Sequence, residues 1–146
     1  MKVIISKVSD LTHDELVDLF STATYGSSWM CSSAENAREL VEDNDCREDV
    51  WAKALLDGRE IVVSDYYAEG EKYGNLPCVI DPLDGDCANY TVTLKDIENG
   101  LKKCFNHEDA YIREYAEHFR AGDGDMDLEE AETIMQIIVF GEHIYG

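Results

Sequence analysis

The chain has 146 residues, and 32 Asp and Glu against 12 Lys and Arg give it a formal net charge of -20. A small domain needs a net charge of magnitude roughly 2 to 8 for solubility, and beyond that self-repulsion works against the compact state. So anionic a surface repels phosphate backbones and bilayers, which argues against direct binding of nucleic acid or membrane and favours a protein partner with a basic face. Hydrophobic residues make up 45% of the chain and aromatics 10%, enough to separate it from apolar-poor, highly charged sequences that stay disordered. The length suits one domain spanning 1–146.

Residues 2–8 are β-branched and apolar and are expected to form a short strand. Thr12-His13-Asp14-Glu15 then has the form of a capping box for a helix carrying Leu16, Val17, Leu19 and Phe20. Tyr25-Gly26-Ser27-Ser28-Trp29 breaks that helix, its two aromatics suggesting a packed loop, and residues 35–42 suit a short helix. Asp45 with Glu48 repeats the cap pattern before a helix bearing Val50, Trp51, Ala54 and Leu55, which Gly58 ends. Residues 60–67, Cys78-Val79-Ile80 and Tyr90-Thr91-Val92 read as strands, with Asp84-Gly85 as a turn and 68–76 as a loop. Thr93 is placed to cap a helix through Ile97, Leu101 and Cys104, and a second helix over 108–120 is expected to turn Tyr111, Ile112, Tyr115 and Phe119 inward. A last helix starts near Asp127, and its apolar run over 134–140 is too dense to face water. The expected fold class is α+β: a single compact domain with a small, mostly antiparallel sheet and four to six helices.

Five cysteines, Cys31, Cys46, Cys78, Cys87 and Cys104, are odd in number and include no Cys-x-x-Cys pair. With an amino terminus too short in apolar residues for a signal peptide or membrane span, they point to free, buried thiols in a reducing cytoplasm. The four histidines are scattered and read as surface or capping groups, and no Gly-x-Ser-x-Gly or Gly-rich phosphate loop occurs.

Ile80-Asp81-Pro82-Leu83-Asp84-Gly85 resembles the metal-binding Asp-Pro-Ile/Leu-Asp-Gly segment of the inositol monophosphatase family. That resemblance implies cation-holding roles for Asp81 and Asp84, with Glu69 and Glu71 upstream, in a metal-assisted phosphoester hydrolase. The segment departs from the family in having Asp86 where Ser or Thr follows, and no later Trp-Asp segment occurs. Ordinary turn chemistry of Pro82 and Gly85 explains the same residues. Asp123-Gly124-Asp125-Met126-Asp127 opens like an EF-hand loop, but Leu128 stands where the turn glycine belongs and Ile134 where the bidentate glutamate belongs.

Two carboxylate clusters remain. Glu42, Asp43, Asp45, Glu48 and Asp49 enclose only Arg47, while Asp123, Asp125, Asp127, Glu129, Glu130 and Glu132 include no cation. Carboxylates at helical spacing i, i+3 or i+4 lie about 5–6 Å apart at Cβ. A row of them can enter a basic nucleic-acid-binding groove in place of phosphates.

Two further segments resemble small acidic proteins carried by phages and prophages of Firmicutes-type bacteria. Residues 23–31, Ala-Thr-Tyr-Gly-Ser-Ser-Trp-Met-Cys, are similar to an Ala-x-Glu-Gly-Gly-x-x-Tyr-Trp-Cys pattern, and residues 137–146, ending Phe140-Gly141-Glu142-His143-Ile144-Tyr145-Gly146, are similar to an Ala-Leu-Phe-Gly-Glu-x-Val-Tyr-Gly ending. The resemblance implies a phage protein. With the charge, it leads to the expectation of a non-enzymatic inhibitor that blocks a basic nucleic-acid-binding surface on a nuclease or CRISPR effector, in the manner of DNA-mimicking anti-restriction and anti-CRISPR proteins. That reading requires no cofactor and no metal; its contact residues are Glu42, Asp43, Asp45, Glu48, Asp49, Asp123, Asp125, Asp127, Glu129 and Glu130. The hydrolase and a phage structural or regulatory protein are the alternatives.

Overall fold

The computed structural model describes residues 8–27, 29–122 and 126–146, and within them five α-helices, one 3₁₀ segment and four strands. In chain order these are α1 (His13–Gly26), β1 (Met30–Ser33), the 3₁₀ segment (Glu35–Leu40), α2 (Arg47–Leu56), β2 (Ile61–Asp65), β3 (Cys78–Asp81), β4 (Cys87–Val92), α3 (Leu94–Phe105), α4 (Ala110–Ala121) and α5 (Leu128–Phe140). The expected α+β domain is what forms. The strand expected over 2–8 lies outside the described residues except for Val8, which sits in a turn.

Local chemistry sets most helix boundaries. Thr12 Oγ1 accepts from the Glu15 backbone N–H while Glu15 Oε1 accepts from Thr12 N, the reciprocal box its spacing predicts. Thr93 and Asp96 repeat it at α3, and Asp127 Oδ1 accepts from Glu130 N at α5. Gly122 and Gly141 end α4 and α5 with φ of 66° and 80°, left-handed conformations that glycine adopts without Cβ strain. The α2 start departs from expectation by one residue: Cys46 is the N-cap and Asp49 the reciprocating side chain. Asp45 instead accepts from Glu42 N and from Lys53 Nζ at 2.6 Å, closing the turn that leads into the helix.

The sheet runs β1-β2-β4-β3 with every pair antiparallel. Strand alternation gives one inward face, carrying Met30, Ile61, Val63, Ala88, Tyr90 and Val92, all buried. The strand β1 was not expected from sequence: its Cys-Ser-Ser content carries weak β signal, and it forms because Cys31 and Ser33 pair with Ser64 and Val62 across the sheet edge. Trp29 beside it is buried as expected, whereas Tyr25, the other aromatic of that break, is 75% exposed.

Helix α5 is the spine of the helical layer. Residues 133–140 of it are all buried, and it packs against α1, α3 and α4, with α2 flanking α1. Helix α3 approaches α5 so closely that a Cβ on Gly100 would lie 2.4 Å from Ile138 Cγ1, which explains a glycine in a helix interior. In α4, Ile112, Ala116 and Phe119 face the core, but Tyr111 is 69% exposed; the inward stripe starts one residue later than expected.

At the carboxyl end of α5 the helical layer meets the sheet through aromatic rings. Phe140 contacts Trp29, Tyr73, Tyr90 and Tyr145, with ring centroids 5.1 to 5.7 Å apart. The tail after Gly141 folds back onto this cluster. Gln136, fully buried, accepts from the backbone N–H of Ile144 and of Tyr145 and donates to the Tyr145 carbonyl. The Tyr145 hydroxyl then donates to Asp65 Oδ2 at 2.7 Å.

Candidate functional site: an acidic face around the first helix

The first turn of α1 is tied to the start of α2 on one side and to the end of α4 on the other. His13 Nε2 lies 2.8 Å from Asp49 Oδ1 at the start of α2, and Glu15 Oε2 accepts from Arg120 Nη1 at 2.8 Å near the end of α4. Between these two ties α1 exposes Asp14 and Asp18. They are one helical turn apart and border a shallow cleft whose other wall is Phe119 and Gly122. The chain leaves α4 at Gly122 toward Asp123 and Asp125, which lie outside the described residues, and returns with Asp127 and Glu129 exposed. On the α2 side Glu42 and Asp43 are exposed.

The structure removes four of the expected contact residues from that face. Glu48 is 3% exposed and Glu130 8%, so neither presents its carboxylate to a partner. Glu130 lies against His118 Nδ1, at 3.0 and 3.1 Å from its two oxygens, and ties α5 to α4. Asp45 is committed to Lys53, and Asp49 accepts from the Cys46 N–H and thiol while meeting His13. The Cys46 thiol and then the His13 ring stabilise the Asp49 carboxylate and hold its pKa down to about 2. Sequence spacing alone did not distinguish these carboxylates from their exposed neighbours, because for Glu48, Asp49 and Glu130 the packed partner identifies the buried helix face, and for Asp45 the turn ahead of α2 brings it to Lys53.

Several cations of the chain are committed to holding the fold together. Lys53 pairs with Asp45 and Glu42, and Arg59 with Asp57 and Glu39. Arg113 donates to the carbonyls of His107 and Glu108, and the Arg47 guanidinium lies over the Trp51 ring at 5.7 Å. The Lys53 and Arg59 pairs compensate Glu39, Glu42 and Asp57 in part, whereas Asp14, Asp18, Asp43, Asp127 and Glu129 are exposed with no ion pair among the described residues.

The residues that would serve catalysis are arranged otherwise. Cys46, Asp49 and His13 are in contact, but the carboxylate stands between thiol and imidazole, so the imidazole cannot take the thiol proton. Asp49 also pushes the Cys46 pKa up, the reverse of what an attacking thiolate needs. Cys46 is exposed; the expectation of buried thiols holds for Cys87 and Cys104, the latter pushed up to about 12 by burial. Asp81 Oδ1 accepts from Leu83 N, and the backbone N–H groups of Asp84 and Cys87 close successive turns onto Asp81 O and Asp84 O. These are the bonds of a hairpin turn. Gly70 N donates to Asp86 O, which brings the loop holding Glu69 and Glu71 beside that hairpin. Among the described residues no three His, Cys, Asp or Glu side chains converge to hold a cation.

One polar group that sequence reading passed over is Asp65, which is fully buried at the end of β2. Burial raises its pKa, while hydrogen bonds from the Tyr145 hydroxyl and the Tyr67 N–H oppose the rise. Its alternation with Ile61 and Val63 on the inward face was the available signal. Both of its oxygens are occupied by the tail and the following loop, which makes it an anchor for the fold. Among the described residues no helix is long and apolar enough to cross a membrane. No protein-family profile, curated protein or solved structure matches this chain.

Proposed function

We propose that this chain is a non-catalytic acidic inhibitor that occupies the basic nucleic-acid-binding surface of a host defence protein, a nuclease or a CRISPR effector, in the bacterial cytoplasm. The observation that carries the reading is the exposed carboxylate pair Asp14 and Asp18 on α1, standing between the ties to α2 and α4; Glu42 and Asp43 ahead of α2 and Asp127 and Glu129 at the start of α5 are exposed as well. Carboxylates one helical turn apart are about 5–6 Å from one another at Cβ, a spacing of the same order as that of charges along a nucleic-acid strand. The similarity of residues 23–31 and 137–146 to acidic phage proteins supplies the setting. The contact set is narrower than the acidic clusters of the sequence, since Asp45, Glu48, Asp49 and Glu130 are spent inside the fold.

The test starts with a pull-down from a bacterial host, followed by a binding titration on the retained protein. Attraction between exposed charges is screened over about 8 Å at physiological ionic strength, so affinity falls as salt is raised. Replacing Asp14, Asp18, Glu42, Asp43, Asp127 and Glu129 by Asn or Gln removes six contacts of about 0.2–1 kcal/mol each, which weakens binding at least about sevenfold. DNA or RNA should compete with the chain for the target. Simultaneous binding of chain and nucleic acid, or full activity of the neutralised variant, rules the proposal out.

A further inference from the structure

A cavity of about 470 Å³ opens between α3, the last turn of α5 and the loop at Gly74. Small-molecule sites occupy roughly 300–1,000 Å³, so the space is adequate for a ligand. Its walls are set by two close approaches. A Cβ on Gly100 would meet Ile138 at 2.4 Å, and one on Gly74 would meet the Phe140 carbonyl oxygen at 2.6 Å. Backbone therefore packs directly on α5 at both sides, leaving a preorganised hollow that includes Leu76 and Ile138 and has Asn99, Lys102 and Lys103 among its other walls.

The charge of that hollow is opposite to that of the rest of the molecule. On a chain of net charge -20, Lys102 and Lys103 are adjacent and exposed, and neither has a carboxylate within ion-pair distance among the described residues. The carboxylate that lines the cavity, Asp96, is already engaged: its Oδ2 accepts from both the backbone N–H and the hydroxyl of Thr93. Lys103 Nζ lies over the end of α5, 3.3 Å from where a Gly141 Cβ would stand, a position the helix carbonyls favour. Two ammonium groups beside an apolar hollow complement a ligand that has an apolar body and one anionic group.

We infer that this cavity binds a small amphipathic carboxylate, with its apolar body against Leu76 and Ile138 and its anionic group at Lys102 and Lys103. The inference uses none of the carboxylates of the acidic face and stands or falls apart from the proposed inhibition.

The probe is naphthoate, with naphthylmethanol as its uncharged counterpart, titrated into the full ¹⁵N-labelled chain at physiological salt. Naphthoate should give saturable shifts confined to the amides around Gly74, Gly100, Ile138 and Lys102, and naphthylmethanol should bind more weakly. The K102Q/K103Q variant changes only exposed side chains. It should weaken naphthoate about 10- to 100-fold, the equivalent of one or two hydrogen bonds to a charged group, with little change for the alcohol. Asn99→Trp, also at an exposed position, should obstruct the cavity and weaken both ligands. Absence of saturable binding, shifts centred elsewhere, equal affinity for acid and alcohol, or undiminished naphthoate binding by K102Q/K103Q would each overturn the inference.

Discussion

Replacing Gln136 by Met keeps a side chain of similar length at a fully buried position and removes only its amide. The loss is definable. Gln136 Oε1 accepts from Ile144 N and Tyr145 N, each at 2.8 Å, and Nε2 donates to Tyr145 O at 3.0 Å. The three bonds to the tail, at about 0.5–1.5 kcal/mol net each, put the cost of losing them at about 1.5–4.5 kcal/mol, beside a longer fourth bond from Nε2 to Glu132 Oε1 at 3.5 Å. The upper part of that range requires the tail to stay docked with its amides dry. If the tail lifts, the amides rehydrate, and the loss becomes that of the Tyr145 ring contacts with Trp29, Tyr67, Tyr73 and Phe140 and of its bond to Asp65. The expected destabilisation is therefore about 2–4 kcal/mol, a drop in Tm of roughly 5–15 °C for a chain of this size. Urea unfolding followed by far-UV circular dichroism measures it. Tyr145→Phe provides the check on mechanism: its effect should shrink in the Gln136→Met background, because both substitutions release the same tail. A Gln136→Met variant within about 0.5 kcal/mol of the parent, or strictly additive effects of the two substitutions, would refute the account of the tail as a Gln136-held strap.

Asp65→Asn tests the buried carboxylate through pH. The folded state raises the Asp65 pKa, so its contribution is fully present below the ordinary carboxylate value of about 3.9 and is lost as pH rises through the raised one. The stability difference should shift in favour of Asp65→Asn between about pH 3 and pH 7, and a difference independent of pH in paired denaturation curves counts against it. Gly100→Ala should destabilise by about 1–3 kcal/mol despite alanine's better helix propensity, because the added methyl meets Ile138; an unchanged or raised Tm contradicts that close approach. Asp81→Asn with Asp84→Asn should keep the melting temperature within a few degrees and preserve activity, since an Asn oxygen can still accept from Leu83 N. Loss of activity in that double variant with the fold intact would restore the hydrolase reading.

Much of this architecture was legible locally. Thr12 with Glu15, Thr93 ahead of α3 and Asp127 ahead of α5 are caps whose partners lie three residues away, so a short window of sequence contains the whole interaction. The strands at 61–65, 78–81 and 87–92 and the apolar run of α5 carried their own periodicity or density. The strand β1 did not, because its pairing energy resides in β2, some thirty residues along. Residue type alone places Tyr111 and Tyr25 inward, yet both are exposed, because an amphipathic tyrosine serves either side.

The candidate site divides the same way. Composition by itself determined that this is a strongly anionic, core-forming domain, and local spacing determined where its carboxylates cluster. Only the tertiary structure decided which of them face water. Glu48 and Glu130 are lost to the interior, Asp49 to Cys46 and His13, and Asp45 to Lys53, while Asp14 and Asp18, outside both clusters in sequence, stand exposed between the ties of α1 to α2 and to α4. The reason is physical: a charge count is a property of residues and survives any folding, whereas exposure is set by which helix packs against which. Those contacts join residues as far apart as Glu15 and Arg120, beyond the reach of any local pattern.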